Sequence, residues 1–259
     1  MTPDYPELPE TDGVFVTGTD TGVGKTVIAG AIAVVLKNLG IDVDVFKPVA
    51  SGCLKRPGGM VSEDGMFLAA CADSRRSLAE ITPARLARAL APNTAAMMEG
   101  RDIDLELVFQ EYKRTAETAG AVVVEGTGGI LCPISDDFSV LDFAAMTGLP
   151  MVIVARPDLG TINHTLLTLQ AARSAGIRVA GVIINRYIDE LYTEGQPLGG
   201  REDGEVARLT NPRQISLLGR IPVLAVVMED PDTSVSDAKL GECVVASVGN
   251  ADWLKIIKS

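Results

Sequence analysis

Short apolar runs alternate along the chain with longer stretches whose apolar positions recur at helical spacing. The runs predict strands at 14–17, 43–47, 121–125, 151–155 and 179–185, with a weaker one at 222–227. Val122 to Val124, Val152 to Val154 and Val182 to Ile184 are unbroken. A strand with no polar face is covered on both sides, as in a parallel sheet flanked by helices. The helical spacing predicts helices at 25–39, 64–72, 104–118, 140–147 and 162–175. Gly40, Gly120, Gly148 and Gly176 each follow one, where a left-handed C-terminal cap favours glycine. The recurring order of strand, helix, glycine and strand predicts an α/β fold, a doubly wound, mostly parallel sheet with helices on both faces. Residues 1–12 read as a loose tail, and 194–205 and 228–239 as surface loops. No internal repeat and no second composition regime appears, so residues 1–259 read as a single domain.

Composition narrows the functions. The 259 residues are 47% hydrophobic and 22% charged, which is globular. Thirty-four acidic against 23 basic residues give a net charge of −11. That field argues against nucleic-acid and acidic-membrane partners, yet a nucleotide needs only a local cluster of donors. Mean hydropathy is high at +0.24. Even so, the longest apolar stretch, 27–36, falls short of the ~20 residues that cross a bilayer. The acidic, Pro-rich start lacks the basic and apolar regions of a secretory signal, so a cytoplasmic location is expected. Cys53, Cys71, Cys132 and Cys243 form no CxxC pair, and the lone His164 completes no zinc set; reduced, buried thiols are expected.

The strongest chemical signal follows the first strand: GTDTGVGKT, Gly18 to Thr26, leading into an apolar helix. Glycines let backbone N–H groups turn inward around phosphate oxygens, and the helix N-terminus adds partial positive charge. Lys25 suits the β/γ-phosphates and the Thr26 hydroxyl suits Mg2+. The fold is therefore expected to be P-loop NTPase-like. The loop is modified, since Thr19 holds the usual first-glycine position. Asp20 stands where partitioning ATPases carry a second, signature lysine, which counts against a regulatory or partitioning ATPase.

Four more clusters fall at predicted strand ends or helix starts: KPVASG from Lys47, Glu63-Asp64, VEGTGG from Glu125, and LGTINH from Leu159. Ligands in open α/β sheets bind at the carboxyl ends of strands, so these should converge on the phosphate loop. Each has a plainer reading. Lys47 suits a solvated strand end, Asp64 suits a helix N-terminal charge, and Glu125 suits a surface carboxylate. Thr26 with Asp64 and Glu125 makes a hard-oxygen set for Mg2+. His164 reads as a structural residue at a helix start. The Asn185 amide suits a base edge, or a turn.

Taken together, GTDTGVGKT, KPVASG, the Asp64 region, VVVEGTGG, LGTINH, VIIN and IPVL resemble the dethiobiotin synthetase family, in that family's order and across most of the chain. The resemblance implies an ATP-dependent cyclo-ligase of biotin synthesis that uses ATP and Mg2+. Such an enzyme carboxylates 7,8-diaminononanoate (diaminopelargonate) with CO2 and closes a cyclic urea through a carbamic–phosphoric anhydride. It implies a homodimer. It also implies roles: Gly22, Val23, Gly24, Lys25, Thr26 and Val27 on the phosphates, and Thr26, Asp64 and Glu125 on Mg2+. Lys47 would be catalytic beside Lys25, and Gly126, Thr127 and Gly128 would lie along the nucleotide. Asn185, Arg186, Pro222, Val223, Leu224 and Glu229 would line the base pocket. Ser51 would touch the diamine, and Gly160, Thr161 and Asn163 the substrate carboxylate across the dimer interface. Asn93 stands where the family pattern has His after Pro. The alternatives are a regulatory or partitioning ATPase and a related P-loop amide synthase.

Overall fold

The structure, a computed structural model, describes residues 5–188 and 199–258. The chain runs β1 (Gly13–Gly18), α1 (Lys25–Asn38), β2 (Val43–Phe46), β3 (Val49–Ala50), β4 (Leu54–Arg56), β5 (Gly59–Val61) and α2 (Glu63–Ala72). Next come α3 (Leu78–Ile81), β6 (Ala84–Arg85), α4 (Pro92–Met98), α5 (Leu105–Thr118), β7 (Ala121–Glu125), α6 (Val140–Thr147) and β8 (Met151–Ala155). The chain continues through α7 (Thr161–Ser174), β9 (Val179–Tyr187), α8 (Asp203–Gly219), β10 (Val223–Met228), α9 (Glu242–Val248) and α10 (Trp253–Ile256).

Six strands form one parallel sheet in the order β10-β9-β8-β1-β7-β2. The α/β architecture expected from the sequence is present. Alternate residues of β1 show why the strands read as unbroken apolar runs. Phe15 faces a core with Phe46, Phe109, Tyr112 and Phe143, whereas Val14 and Val16 face a second core with Ile28, Ile32, Leu68 and Trp253. From β1 the chain runs through α1 to β2 beyond β7, whereas from its other neighbour β8 it runs through α7 the opposite way to β9. Such a switch point opens a crevice beyond the carboxyl ends, and the phosphate loop joins β1 to α1 there.

The structure departs from the pattern-based expectation in several places. α8 is a 17-residue helix starting at Asp203, so the last residues of the expected 194–205 loop are helical; residues 194–198 lie outside the described residues. Its charged, glycine-bearing start and internal Pro212 hide it from periodicity. The tail expected to be loose is seated at Tyr5, whose ring lies 4.6 Å from Phe138 and 5.8 Å from Phe109, and Leu8 packs on the same core. At the other end Trp253 is buried, with Nε1 donating to Val248 O at 2.7 Å, and Ile257 O accepts from Gly13 N at 2.9 Å. The four thiols are free as expected, but only Cys53 and Cys71 are buried; Cys243 is exposed.

Truncating Tyr5 to alanine removes two aromatic contacts, and Tyr5→Ala should cost about 1–2 kcal/mol of stability. Urea unfolding of the variant measures it, and a midpoint equal to that of the parent would mean the tail contributes nothing.

Candidate active site

Four loops meet at the carboxyl end of the sheet. Gly24, in the left-handed region at φ 92°, is the N-cap of α1, so the helix points its amino end into the crevice. Lys25 is buried, with Nζ donating to the Asp20 backbone carbonyl at 2.9 Å. Gly22, also left-handed at φ 76°, shapes the turn before it. β7 ends at Glu125, which is 1% exposed. Thr26 Oγ1 donates to Glu125 Oε1 at 2.9 Å, and Lys47 Nζ donates to the same oxygen at 2.7 Å. Lys47 Nζ also lies 2.9 Å from Asp64 Oδ2, at the start of α2. Thus Lys25, Thr26, Lys47, Asp64 and Glu125, drawn from four separate segments, form one cluster.

The loops are tied to one another as well. Thr127 Oγ1 donates to Val49 O, joining the loop after β7 to the Lys47 segment. Gly126 N donates to Val16 O, and a side chain at Gly126 would meet Val140 at 2.9 Å. Gly128, left-handed at φ 65°, passes against Cys132. Ser51 follows Lys47 on the same segment and is half-buried.

Burial works against charge throughout the cluster, and the neighbours decide each outcome. Burial lowers the Lys25 pKa, with Glu125 opposing and Lys47 adding to the fall. For Lys47, burial is outweighed by Glu125 and Asp64, and its pKa rises. Asp64, with 38% of its side chain exposed, is held low because Lys47 outweighs its desolvation. Glu125 is raised, chiefly by burial. Its second oxygen, Oε2, is buried and has no partner. An orphaned carboxylate oxygen beside the Thr26 hydroxyl and Asp64 fits a hard divalent cation such as Mg2+. Among the described residues no group of three His, Cys, Asp or Glu side chains makes a metal cage. This set therefore suits Mg2+ that keeps phosphate and water oxygens as further ligands.

At the far side, Val27, Asn185, Arg186 and Glu229 line a cavity of about 110 Å3 with Met228 and Asp230. Pro222, Val223 and Leu224, which the resemblance implied for the base pocket together with Glu229, are not among the residues lining this cavity. Pro222 precedes β10 and Val223 and Leu224 begin it, with Pro222 O accepting from Val182 N at 2.9 Å and Val223 opposite Val182. At ~3.3 Å per residue they sit roughly 13–20 Å from the strand's carboxyl end. The run from Val223 to Met228 is uninterrupted and apolar, so the pattern offered no mark of where along it the pocket falls. Met228 to Asp230 occupy that place.

Gly160, left-handed at φ 93°, caps α7; Thr161 is buried with its hydroxyl unpartnered, and Asn163 is exposed. Two residues that hold this region escaped the sequence reading. Arg156, next after β8, has Nη2 3.3 Å from His164 Nδ1 and Nη1 3.9 Å from Asp20 Oδ2. Asn211, inside α8, donates to Pro157 O at 2.7 Å and so tethers the Gly160 loop. Arg156 follows an unbroken strand just as Glu125 ends one, and that shared position was a usable signal. Asn93, where the family pattern has His, donates to Asp136 Oδ1 at 3.3 Å.

A family profile described as an AAA domain matches residues 12–235. An ATP-dependent dethiobiotin synthetase of Bacillus licheniformis is 40% identical over 222 residues, 86% of this chain and 88% of the relative. One from Thermodesulfovibrio yellowstonii is 35% identical over 240 residues, 90% of this chain and 94% of the relative. The chain belongs to the dethiobiotin synthetase family. Among solved structures, the cell division ATPase MinD of Pyrococcus furiosus superposes with a TM-score of 0.56 at 16% identity, covering 95% of this chain and 99% of that one. A ParA family ATPase from Chlorobium tepidum gives 0.54 at 14%, covering 93% and 97%. At such identities these neighbours show the fold alone. The family places the chain with the synthetases and apart from the MinD and ParA ATPases that share its architecture.

Two outcomes follow from the charge cluster. Lys47→Met should destabilise the protein by about 3–5 kcal/mol at neutral pH, since it strands a buried carboxylate. The loss should shrink as pH falls and Glu125 takes up a proton; a loss independent of pH in denaturant titrations would contradict this. Because burial lowers the Lys25 pKa, ATP affinity should decline as pH rises while still below the ordinary lysine value of about 10.4. Lys25→Arg should flatten that decline in calorimetric titrations between pH 7 and 10.

Proposed function

We propose that the protein is an ATP-dependent dethiobiotin synthase acting in biotin biosynthesis. The observation that carries this reading is the meeting of Lys47, Thr26, Asp64 and Glu125 beside the phosphate loop, in a chain 35–40% identical to curated dethiobiotin synthetases. In this reading an amine of 7,8-diaminononanoate adds to CO2 and loses a proton, giving a carbamate. A carbamate oxygen forms a bond to the γ-phosphorus of ATP as the bond to ADP breaks. The second amine then attacks the carbonyl, expels phosphate and loses its proton, closing the cyclic urea.

The residues suit each demand. Phosphoryl transfer is mainly positioning and charge stabilisation. Lys25 and Lys47 supply positive charge, and the raised pKa of Lys47 keeps it protonated throughout. Thr26, Asp64 and Glu125 would hold Mg2+, which when bound screens the phosphate oxygens from the incoming carbamate. Val27, Asn185, Arg186 and Glu229 would receive the base. The segment bearing Ser51 would face the diamine. Ring closure is intramolecular, so holding the two amines in place supplies much of the rate.

The amino end of α7 would bind the substrate carboxylate of a second copy. Its support is the Gly160 cap, the unpartnered Thr161 hydroxyl and the exposed Asn163 on a 14-residue helix, an arrangement favourable to an anion. The working unit would then be a homodimer, and the site would be built from two chains. No helix among the described residues is long and apolar enough to cross a membrane, which agrees with a cytoplasmic enzyme of small-molecule substrates.

Phosphate release should require ATP, Mg2+, bicarbonate and the diamine together, and Lys25→Ala should abolish it with folding intact. Release that ignores the diamine would overturn the reading. Asn163→Ala should raise KM for the diamine with little change for ATP. Mixing it with Lys25→Ala subunits should restore activity, because half the sites of a heterodimer would combine two intact halves. Verified heterodimers no more active than their parents would place the carboxylate within one chain.

A further inference from the structure

Asn185 lies on β9, two strands from β1, yet its side chain reaches the loop that follows β1. It is 4% exposed, and its Nδ2 donates to Val23 O at 3.0 Å. The loop lies directly on this amide, for a Cβ at Gly24 would stand 2.0 Å from Nδ2. Gly24 is thus demanded twice, by its left-handed backbone and by the asparagine beneath it.

The asparagine is held firmly. Ile184 before it pairs with Ala155 on β8 and Val226 on β10. Arg186 after it turns left-handed at φ 59°, and the next residue, Tyr187, is buried with its carbonyl accepting from Glu229 N at 2.8 Å. By contrast the phosphate loop carries two left-handed glycines and gains stiffness only from what grips it. In a trans peptide the carbonyl and the following N–H point in opposite directions. Fixing Val23 O onto Asn185 therefore fixes the Gly24 N–H away from it. A flip of that peptide would turn a carbonyl dipole, in place of an N–H, toward a bound anion.

We propose that Asn185 is a positioning residue of the phosphate loop, locking the Val23–Gly24 peptide so that the Gly24 N–H faces the phosphates. This goes beyond contact with a base, since the Nδ2 donor is already engaged by Val23 O within the protein itself. It rests on the phosphate-loop reading and is independent of the diamine reaction.

Inorganic tripolyphosphate separates the two roles, because it has no base. Its affinity, with Mg2+, is measured by calorimetry on the parent, Asn185→Ala and Asn185→Leu. Losing one buried hydrogen bond to the loop should weaken it about tenfold in each variant. Leucine restores most of the side-chain volume without a donor, so recovery of parental affinity in Asn185→Leu would make the effect one of packing and overturn the proposal. Parental affinity in Asn185→Ala, with only ATP weakened, would reduce Asn185 to a reader of the base and overturn it too. Amide exchange on the ligand-free protein gives an independent readout: exchange at Gly24 and Lys25 should quicken in both variants, and unchanged exchange would refute the lock. Failure here would leave diamine-dependent turnover untouched as a test of the enzyme activity.

Discussion

The buried Glu125 carboxylate is the point on which the site is built. A charge that is 1% exposed at the end of a central strand is tolerated only with compensation, and every neighbouring loop contributes some. Lys47 supplies a cation from the segment after β2, and Thr26 a hydroxyl from the first turn of α1. Asp64 shares the Lys47 ammonium from the start of α2. Because each partner is needed to neutralise or hydrogen-bond the others, the three loops cannot shift independently. The unpartnered Oε2 shows that the compensation is incomplete in the protein alone. An ensemble short of one positive ligand is prepared for Mg2+ and nucleotide.

Close backbone approach is the second constraint, and glycine enforces it where the loops cross. The ideal Cβ of Gly24 would collide with Asn185, and that of Gly126 with Val140. Phosphate-binding glycines are usually explained by ligand and φ alone. Here the neighbouring protein atoms already forbid a side chain, so the loop's shape is set from beneath as well as by what it binds.

The sheet was legible because its strands are covered on both faces and therefore read as unbroken apolar runs. Lys47 and Glu125 were legible because they stand directly after apolar strand runs, Lys25 and Thr26 because the glycine-rich loop marks them, and Asp64 because it opens a helix. The same logic failed where its signal was missing. Nothing interrupts the run from Val223 to Met228, so it carries no mark of which end borders the Asn185 cavity; the resemblance pointed to Pro222, Val223 and Leu224 as well as to Glu229, and of these only Glu229 lines that cavity. α8 starts on charges and glycine and contains Pro212, which conceals a helix from a periodicity argument. Tyr5 was taken for part of a loose tail because its partners, Phe109 and Phe138, are more than a hundred residues away. Long-range contacts of that kind leave no local trace.

The sheet shared with MinD and ParA ATPases explains what this chain can hold, and the side chains at its rim decide what is done with it. Position 20 makes the difference concrete. A lysine there would add a third cation beside Lys25, whose ammonium is already engaged by the Asp20 carbonyl. Asp20 instead accepts from Thr21 N at 2.7 Å and faces Arg156 of its own chain. The carboxylate at the tip of the loop thus has a backbone donor and a guanidinium of its own chain as neighbours. Arg156 also touches His164 in the first turn of α7, so the phosphate loop and that helix N-terminus share one guanidinium. A fold shared with MinD and ParA ATPases here ties its phosphate loop to the amino end of α7 of the same chain through the one side chain of Arg156.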